Sequence, residues 1–281
     1  MASSHGRFIW YELMTMDMAA AKAFYARVVG WNTHNTSMPG AAYTLFSAGK
    51  VPVGGLVNLP RALRMTGTRP HWIGYVAVDD VDTASERVEE LGGTVHVAPT
   101  DVPNISRFSV IGDPQMATLA LVKGLKPGQE PLAEPGEPGR VGWHELLAAD
   151  WRTAFAFYSE LFGWQKADAH TGAMGTYQQF SVAGQAVGGM FTKPEALPVS
   201  FWLYYFNVGD IEAAAQRVEA AGGEILYGPT VVPGGAQIVH CTDPQGAVFA
   251  LLDRRGRKAP GYFESAAAHD SPPARRRPWS W

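Results

Sequence analysis

The chain has 281 residues, of which 46% are hydrophobic and 17% are charged, and these proportions are typical of a folded protein with a sizeable core. A single core rarely grows past roughly 250–300 residues, so the length predicts about two domains. The formal net charge of −3 gives no electrostatic reason to expect binding to nucleic acid or to an anionic membrane.

The sequence also bears on the compartment. One cysteine, Cys241, is present, so no disulfide can form within the chain, which is typical of a reducing environment. No apolar run reaches the roughly 18–20 residues that span a bilayer, and the first residues lack the apolar segment of a signal peptide. We therefore expect a cytoplasmic protein, and the abundance of alanine, glycine and arginine favours a bacterial source.

A repeat divides the chain into two halves. Residues 10–31 and 143–164 share the pattern W-x-E-L, followed by F-Y and G-W at equal spacings. Later in each half the tripeptide D-P-Q recurs, at 113–115 and 243–245. We predict a first domain over 7–125, a Pro- and Gly-rich linker over 126–139, a second domain over 140–253 and a disordered basic tail over 254–281.

Within each half a strand, a helix and further strands occur twice. Asp17 is a good helix N-cap and Gly30 a good C-terminal glycine, so the helical periodicity between them predicts a helix over 19–29. Asp79-Asp80 introduces a second helix, over 81–91. Strands are predicted at 8–14, 42–48, 51–57, 72–78, 94–98, 106–111 and 117–122. Four such units in one chain indicate an α+β fold.

These motifs carry a specific resemblance. The spacing D-x6-F-Y-x4-G-W after the first strand, with V-D-D, G-G and D-P-Q later, resembles the vicinal oxygen chelate superfamily, which includes glyoxalase I, extradiol dioxygenases and bleomycin-binding resistance proteins. The resemblance implies that each domain consists of two βαβββ modules whose strands form one open cup for a ligand. The W-x-E-L opening resembles a two-domain, glyoxalase-like branch of the superfamily.

The resemblance also implies where a metal would bind. Members use one residue from each of four equivalent strand positions, typically His, Gln or Glu, as nitrogen or oxygen ligands. Here those positions hold Trp10, Ile73, Ala120 and Gly54-Gly55 in the first half, and Trp143, Leu203, Ala250 and Gly188-Gly189 in the second. None of these side chains coordinates a metal. We therefore expect no metal and no other cofactor, which disfavours a metal-dependent lyase or oxygenase.

Side chains along a strand alternate between its two faces, so a cup-facing Trp10 or Trp143 places Glu12 or Glu145 in the same cup. The same alternation predicts that Trp10, Tyr75, Trp143, Tyr205 and Asn207 bind a ligand. A count back from Asp113 and Asp243 adds Arg107 and Gln237, and the corresponding positions of the third strands add Tyr43 and Tyr177. His144 and His240 are predicted to face the helices. Aromatic concavities with a few polar groups are typical of small-molecule sites. Alternatively, the tryptophans fill space vacated by the metal, and the glutamates are structural.

Glu12 and Glu145 are the candidate acid–base residues. A carboxylate on an apolar sheet face needs a partner. Arg107 would keep Glu12 ionised, whereas Glu145 would face Gln237 and no cation, so we predict that the pKa of Glu145 is the higher of the two.

Two functions follow from these residues. The first is a metal-free protein, monomeric or homodimeric, that binds a hydrophobic or aromatic small molecule, with antibiotic sequestration as one use. The alternative is a metal-independent isomerase, lyase or cyclase in which a cup glutamate transfers protons. The sequence does not decide between binding and turnover.

Overall fold

The structure is a computed structural model that describes residues 4–38, 41–124, 136–172 and 175–254. In the first half the strands are β1 Phe8–Thr15, β2 Asn32–Met38, β3 Ala41–Ala48, β4 Val51–Asn58, β5 His71–Ala77, β6 Thr94–Val102, β7 Ser106–Gly112 and β8 Thr118–Gly124. The helices are α1 Met18–Val28, α2 Arg61–Met65 and α3 Val81–Glu90. The predicted elements are therefore found in the predicted order, with β2 and α2 in addition.

The second half repeats this plan. Its strands are β9 Val141–Ala148, β10 Gln165–Gly172, β11 Gly175–Val182, β12 Gln185–Thr192, β13 Phe201–Asn207, β14 Glu224–Val231, β15 Gln237–Thr242 and β16 Val248–Asp253. The helices are α4 Trp151–Phe162 and α5 Ile211–Ala220.

Each half forms one eight-stranded sheet. The strand order is β2-β3-β4-β1-β5-β8-β7-β6 in the first half and β10-β11-β12-β9-β13-β16-β15-β14 in the second. The first strand of each module lies at the centre, where β1 pairs with β5 and β9 pairs with β13, antiparallel in both cases. The two modules of one half thus share a continuous sheet, which confirms the predicted α+β fold with tandem two-module domains.

Local sequence signals explain the helix starts. The side chains of Asp17, Asp80, Asp150 and Asp210 each accept hydrogen bonds from backbone N–H groups in the first turn of α1, α3, α4 and α5. Such capping satisfies donors that have no partner inside the helix. The four helices begin where the aspartates of the repeat predict, so the repeat fixes the spacing between each central strand and the helix that follows it.

The helix-side faces of both sheets share one hydrophobic core. The Tyr11 hydroxyl of β1 lies 2.6 Å from Nε2 of His144 on β9, and α1 packs near α5 while α3 packs near α4. The hydroxyl of Tyr25 donates to Asp243, and that of Tyr158 donates to Asp113. The aspartates of the D-P-Q motifs therefore join each half to the other.

Some predicted segments are not covered. Residues 126–135 of the predicted linker and 255–281 of the predicted tail lie outside the described residues. Within the described ranges, no helix is long and apolar enough to cross a membrane.

Candidate functional site

The faces of the sheets that point away from the shared core carry two smaller apolar clusters, which we call the first cup and the second cup. The first cup contains Ile73, Tyr75, Ala120 and Val122, with Trp10, Met14, Phe108 and Val110 packed against them. The second contains Leu147, Leu203, Tyr205, Ile238, Ala250 and Leu252, with Trp143 packed against them. The side chains of the central strands that these clusters contain, such as Trp10 and Tyr75 in the first cup, therefore point to the side that was predicted.

A tyrosine lies across a glycine in each cup. A Cβ atom added at Gly55 would stand 1.8 Å from the hydroxyl oxygen of Tyr43, and one added at Gly189 would stand 2.3 Å from the ring of Tyr177. Because Gly55 and Gly189 have no side chain, both tyrosines can cross above β4 and β12 and reach the central strands β1 and β9. Their hydroxyls accept hydrogen bonds from the indole nitrogens of Trp10, at 3.1 Å, and Trp143, at 2.7 Å.

Glu12 is the acidic group of the first cup. Its Oε1 accepts a hydrogen bond from the Tyr75 hydroxyl at 3.2 Å, and Tyr43 also hydrogen-bonds it. Burial raises the pKa of Glu12, and the two tyrosines oppose that rise in part. The partners of this half-buried carboxyl are neutral hydroxyl groups.

Glu145 occupies the same place in the second cup, with a shorter hydrogen bond from the equivalent tyrosine. Its Oε2 accepts a hydrogen bond from the Tyr205 hydroxyl at 2.7 Å, and Tyr177 also hydrogen-bonds it. Burial raises the pKa of Glu145 to about 7 despite both hydrogen bonds. The Tyr205 hydroxyl also lies 2.8 Å from Nε2 of His240, and burial lowers the pKa of that imidazole to about 4.

Three predicted placements were wrong. Arg107 points to the helix side, where it bonds Asp82 on α3 at 2.7 Å and Asp101 at 2.9 Å. Gln237 alternates with the cup-facing Ile238 and so lies on the opposite face. His240 lies in the second cup and not among the helices. The reason is register: residues paired across two strands share a face, and the cup-facing Ala120 and Ala250 pair with Val110 and His240.

Two further residues have structural partners. His144 faces the helix side as predicted, stacked on Phe8 and bonded to Tyr11. The Asn207 side chain donates to the carbonyl of Glu137 at 3.2 Å, so it holds the chain segment that precedes β9. Arg107 and Gln237 therefore lie outside the cups, and the amide nitrogen of Asn207 is engaged by the backbone.

The residues of the cups do not fit a metal of the family type. The four strand positions present indole, aliphatic or glycine groups, and in the described part of the chain no three His, Cys, Asp or Glu side chains cluster as a metal site would require. Glu12 and Glu145 are engaged by tyrosines instead.

The two eight-stranded sheets, with their central strand pairs and repeated modules, define a tandem fold of the glyoxalase type. The chain belongs to the Glyoxalase/Bleomycin resistance protein/Dioxygenase superfamily, whose family model matches residues 7–121 and again 140–251. One match in each half confirms the resemblance seen in the repeated motifs.

Similar proteins span nearly the whole chain. The anthracycline biosynthesis protein DauV of Streptomyces sp. (strain C5) is 32% identical over 264 residues, which cover 88% of this chain and 92% of that protein. CFP32 of Mycobacterium tuberculosis (strain CDC 1551 / Oshkosh), which bears a provisional glyoxylase name, is 31% identical over 245 residues, with 86% and 93% covered.

Solved structures agree on the fold. The Mn(II)-bound glyoxalase from Novosphingobium aromaticivorans has a TM-score of 0.60 at 18% identity and covers 89% of this chain and 82% of that chain. A 4-hydroxymandelate synthase mutant from Streptomyces coelicolor has a TM-score of 0.61 at 14% identity, with 92% and 95% covered. At these identities the likeness concerns the fold alone.

Proposed function

We propose that the chain is a metal-independent member of this superfamily whose two cups bind planar aromatic small molecules. One observation carries the proposal. The strand positions that would supply metal ligands hold Trp10, Ile73 and Ala120 in the first cup, and matching apolar residues in the second. Each cup is therefore lined by aromatic and aliphatic side chains, and its tryptophan is part-exposed. Such a surface recognises flat apolar ligands by stacking and burial.

The two half-buried tryptophans suit this role. Trp10 and Trp143 are each held by a hydrogen bond from the indole nitrogen to a tyrosine, so the ring is fixed before a ligand arrives. A fixed ring loses little conformational entropy on binding.

Two relatives are named as anthracycline biosynthesis proteins, and anthracyclines are flat, fused-ring compounds. Binding without turnover would suit sequestration of such a compound, in a cytoplasmic monomer or homodimer.

Isothermal titration of the full chain with 2-methoxynaphthalene, in the presence of EDTA, tests the proposal. We expect two saturable sites. Trp10→Ala and Trp143→Ala should each remove one of them, because each deletes one stacking surface. Trp10→Phe and Trp143→Phe serve as matched controls, since a flat ring remains, and they should keep both sites. Absence of saturable binding to a folded wild-type chain would reject the proposal.

A second candidate function is metal-independent proton transfer by Glu145. The observation that favours it is a buried carboxyl whose pKa is raised to about 7, where it can both accept and release protons near neutral pH. The hydroxyl of Tyr205, at 2.7 Å, orients the carboxyl. A ligand stacked on Trp143 would lie beside it on the same strand.

The flat heterocycle 5-nitrobenzisoxazole tests whether Glu145 acts as a base. Removal of its ring C–H proton by a carboxylate forms the nitrile as the N–O bond breaks, and the phenolate product is coloured. Glu145→Gln should abolish a rate that rises as the pH passes through about 7, whereas Glu12→Gln in the first cup should retain it. A wild-type rate equal to that of Glu145→Gln would reject this candidate and leave the binding proposal intact.

A further inference from the structure

The two cups differ at one polar position. His240 on β15 faces the second cup beside Ile238 and pairs with the cup-facing Ala250. The first cup has Val110 at the same place, paired with Ala120. Only the second cup therefore places an imidazole against its central tyrosine, because the equivalent Val110 side chain forms no hydrogen bonds.

The hydrogen bonds define which nitrogen of His240 carries the proton. The Tyr205 hydroxyl has one proton, and it donates that proton to Oε2 of Glu145 at 2.7 Å. The oxygen of Tyr205 can then only accept from Nε2 of His240, which lies 2.8 Å away. With Glu145 ionised, His240 is therefore the Nε2–H tautomer, and its Nδ1 is a bare acceptor.

That acceptor has no partner among the described residues. His240 is 8% exposed, and its Nδ1 is buried without a hydrogen bond. Buried polar atoms of this kind are rare in folded proteins and are commonly satisfied by a ligand or an ordered water. The half-exposed ring of Tyr227, on the edge strand β14, lies over the imidazole with 5.4 Å between ring centroids.

We propose that Nδ1 of His240 accepts a hydrogen bond from a ligand hydroxyl, so that the second cup selects planar aromatic compounds that carry a phenolic hydroxyl group. This inference rests on the proposed aromatic-binding function. The chemical class of the ligand follows from the surroundings of Nδ1. The ionised Glu145 carboxylate nearby repels anions, so the donor should be a neutral group. A phenol combines a flat ring for Trp143 with a strong neutral donor for Nδ1.

Calorimetric titration of the full chain with two matched probes tests this selection. At about pH 8, where Glu145 is mostly ionised, the second cup should bind 2-naphthol about tenfold more tightly than 2-methoxynaphthalene, which has no donor. His240→Val, which copies the first cup, should remove the difference and leave 2-methoxynaphthalene binding within about twofold. His34→Val, at an exposed histidine of β2, should change neither affinity.

The outcomes separate the two proposals. Equal affinities for both probes in the wild-type chain would overturn the selection of phenols and leave aromatic binding in place, whereas failure of both probes to bind would overturn both. Nitrogen-15 NMR of histidine-labelled protein keeps the test independent of the variant's folding. We expect an unprotonated Nδ1 for His240 whose resonance shifts when 2-naphthol is added. A protonated Nδ1 in the free protein at that pH would overturn the inference.

Discussion

At the scale of single residues, the two cup glutamates have equivalent tyrosine partners but differ in the length of that hydrogen bond and in what lies beyond the tyrosine. Each accepts a hydrogen bond from the tyrosine of the facing strand, at 3.2 Å for Glu12 and 2.7 Å for Glu145. Only in the second cup does a histidine extend the chain of hydrogen bonds. The second cup is therefore the better candidate for polar recognition or proton transfer, and the first is a simpler aromatic surface.

The titration of Glu145 should appear in the stability of the protein. Burial raises its pKa from an ordinary 4.5 to about 7. As the pH rises from about 4.5 to 7, the unfolded chain ionises while the folded carboxyl keeps its proton, so the free energy of unfolding falls over this window. Glu145→Gln cannot titrate. The free energy of unfolding of Glu145→Gln minus that of wild type should therefore increase by on the order of 3 kcal/mol between about pH 4 and pH 8.

Denaturant unfolding of both proteins across that pH range measures the difference. Glu86→Gln, at an exposed position on α3, is the matched control and should follow the wild-type curve. Parallel curves for wild type and Glu145→Gln would show that the carboxyl does not titrate in this window.

The sequence predicted some cup residues and misplaced others for a definite reason. Alternation along β1 and β9 placed Trp10, Glu12, Trp143 and Glu145 correctly, because the parity was counted along a single strand. Arg107 and Gln237 were counted back from a turn aspartate. The pairing of Val110 with Ala120 places Val110 in the cup, so Arg107, three residues earlier on the same strand, lies on the helix side. An inference from strand pairing with the predicted cup residue Ala250 would have placed His240 in the second cup.

At the scale of elements, Gly55 of β4 and Gly189 of β12 let a tyrosine from the neighbouring strand cross above them. The Tyr43 and Tyr177 hydroxyls link the indole of the cup tryptophan to the carboxyl of the cup glutamate. The sequence marked these glycines only as positions without a metal ligand. Their role in seating the tyrosines depends on distances between strands, which a single sequence does not give.

A methyl group at Gly55 on β4 should disrupt the first cup. In Gly55→Ala the new Cβ would lie 1.8 Å from the Tyr43 hydroxyl, so the buried tyrosine must move and its hydrogen bond with Trp10 should break. We expect a loss of about 1–3 kcal/mol in the free energy of unfolding and weaker binding of 2-methoxynaphthalene in the first cup. Gly124→Ala, at the end of β8 with no atom within 4 Å of the new Cβ, should be neutral in both calorimetric and unfolding measurements.

The strands and helices themselves were largely predictable, since aspartate caps and alternating apolar residues mark their ends. The strand β2 was missed because its sequence, Asn32–Met38, is polar along most of its length. It is ordered by pairing with β3 at the edge of the sheet. Pairing of this kind leaves little trace in local composition.

At the scale of the whole molecule, the two halves are not independent bodies. Their helix-side faces form one core, and Tyr25–Asp243 and Tyr158–Asp113 hydrogen bonds cross between them. The sequence predicted two domains but not that their helices pack against each other. Each half alone would expose the apolar surface that the other half covers.

We therefore expect the chain to unfold in one cooperative transition. Scanning calorimetry should give equal calorimetric and van't Hoff enthalpies, because loss of one half exposes the core of the other. Tyr25→Phe and Tyr158→Phe should each lower the midpoint of that single transition without splitting it. Two separate transitions in the wild-type chain would show that the halves are stable on their own.

Native mass spectrometry of the full chain mixed with both Mn²⁺ and 2-methoxynaphthalene tests the central claim most directly, since one spectrum shows metal and ligand together. The account predicts up to two ligand adducts per chain, one for each cup, with no stoichiometric metal. Manganese bound at one ion per half, with ligand adducts only on the metal-bound species, would contradict it.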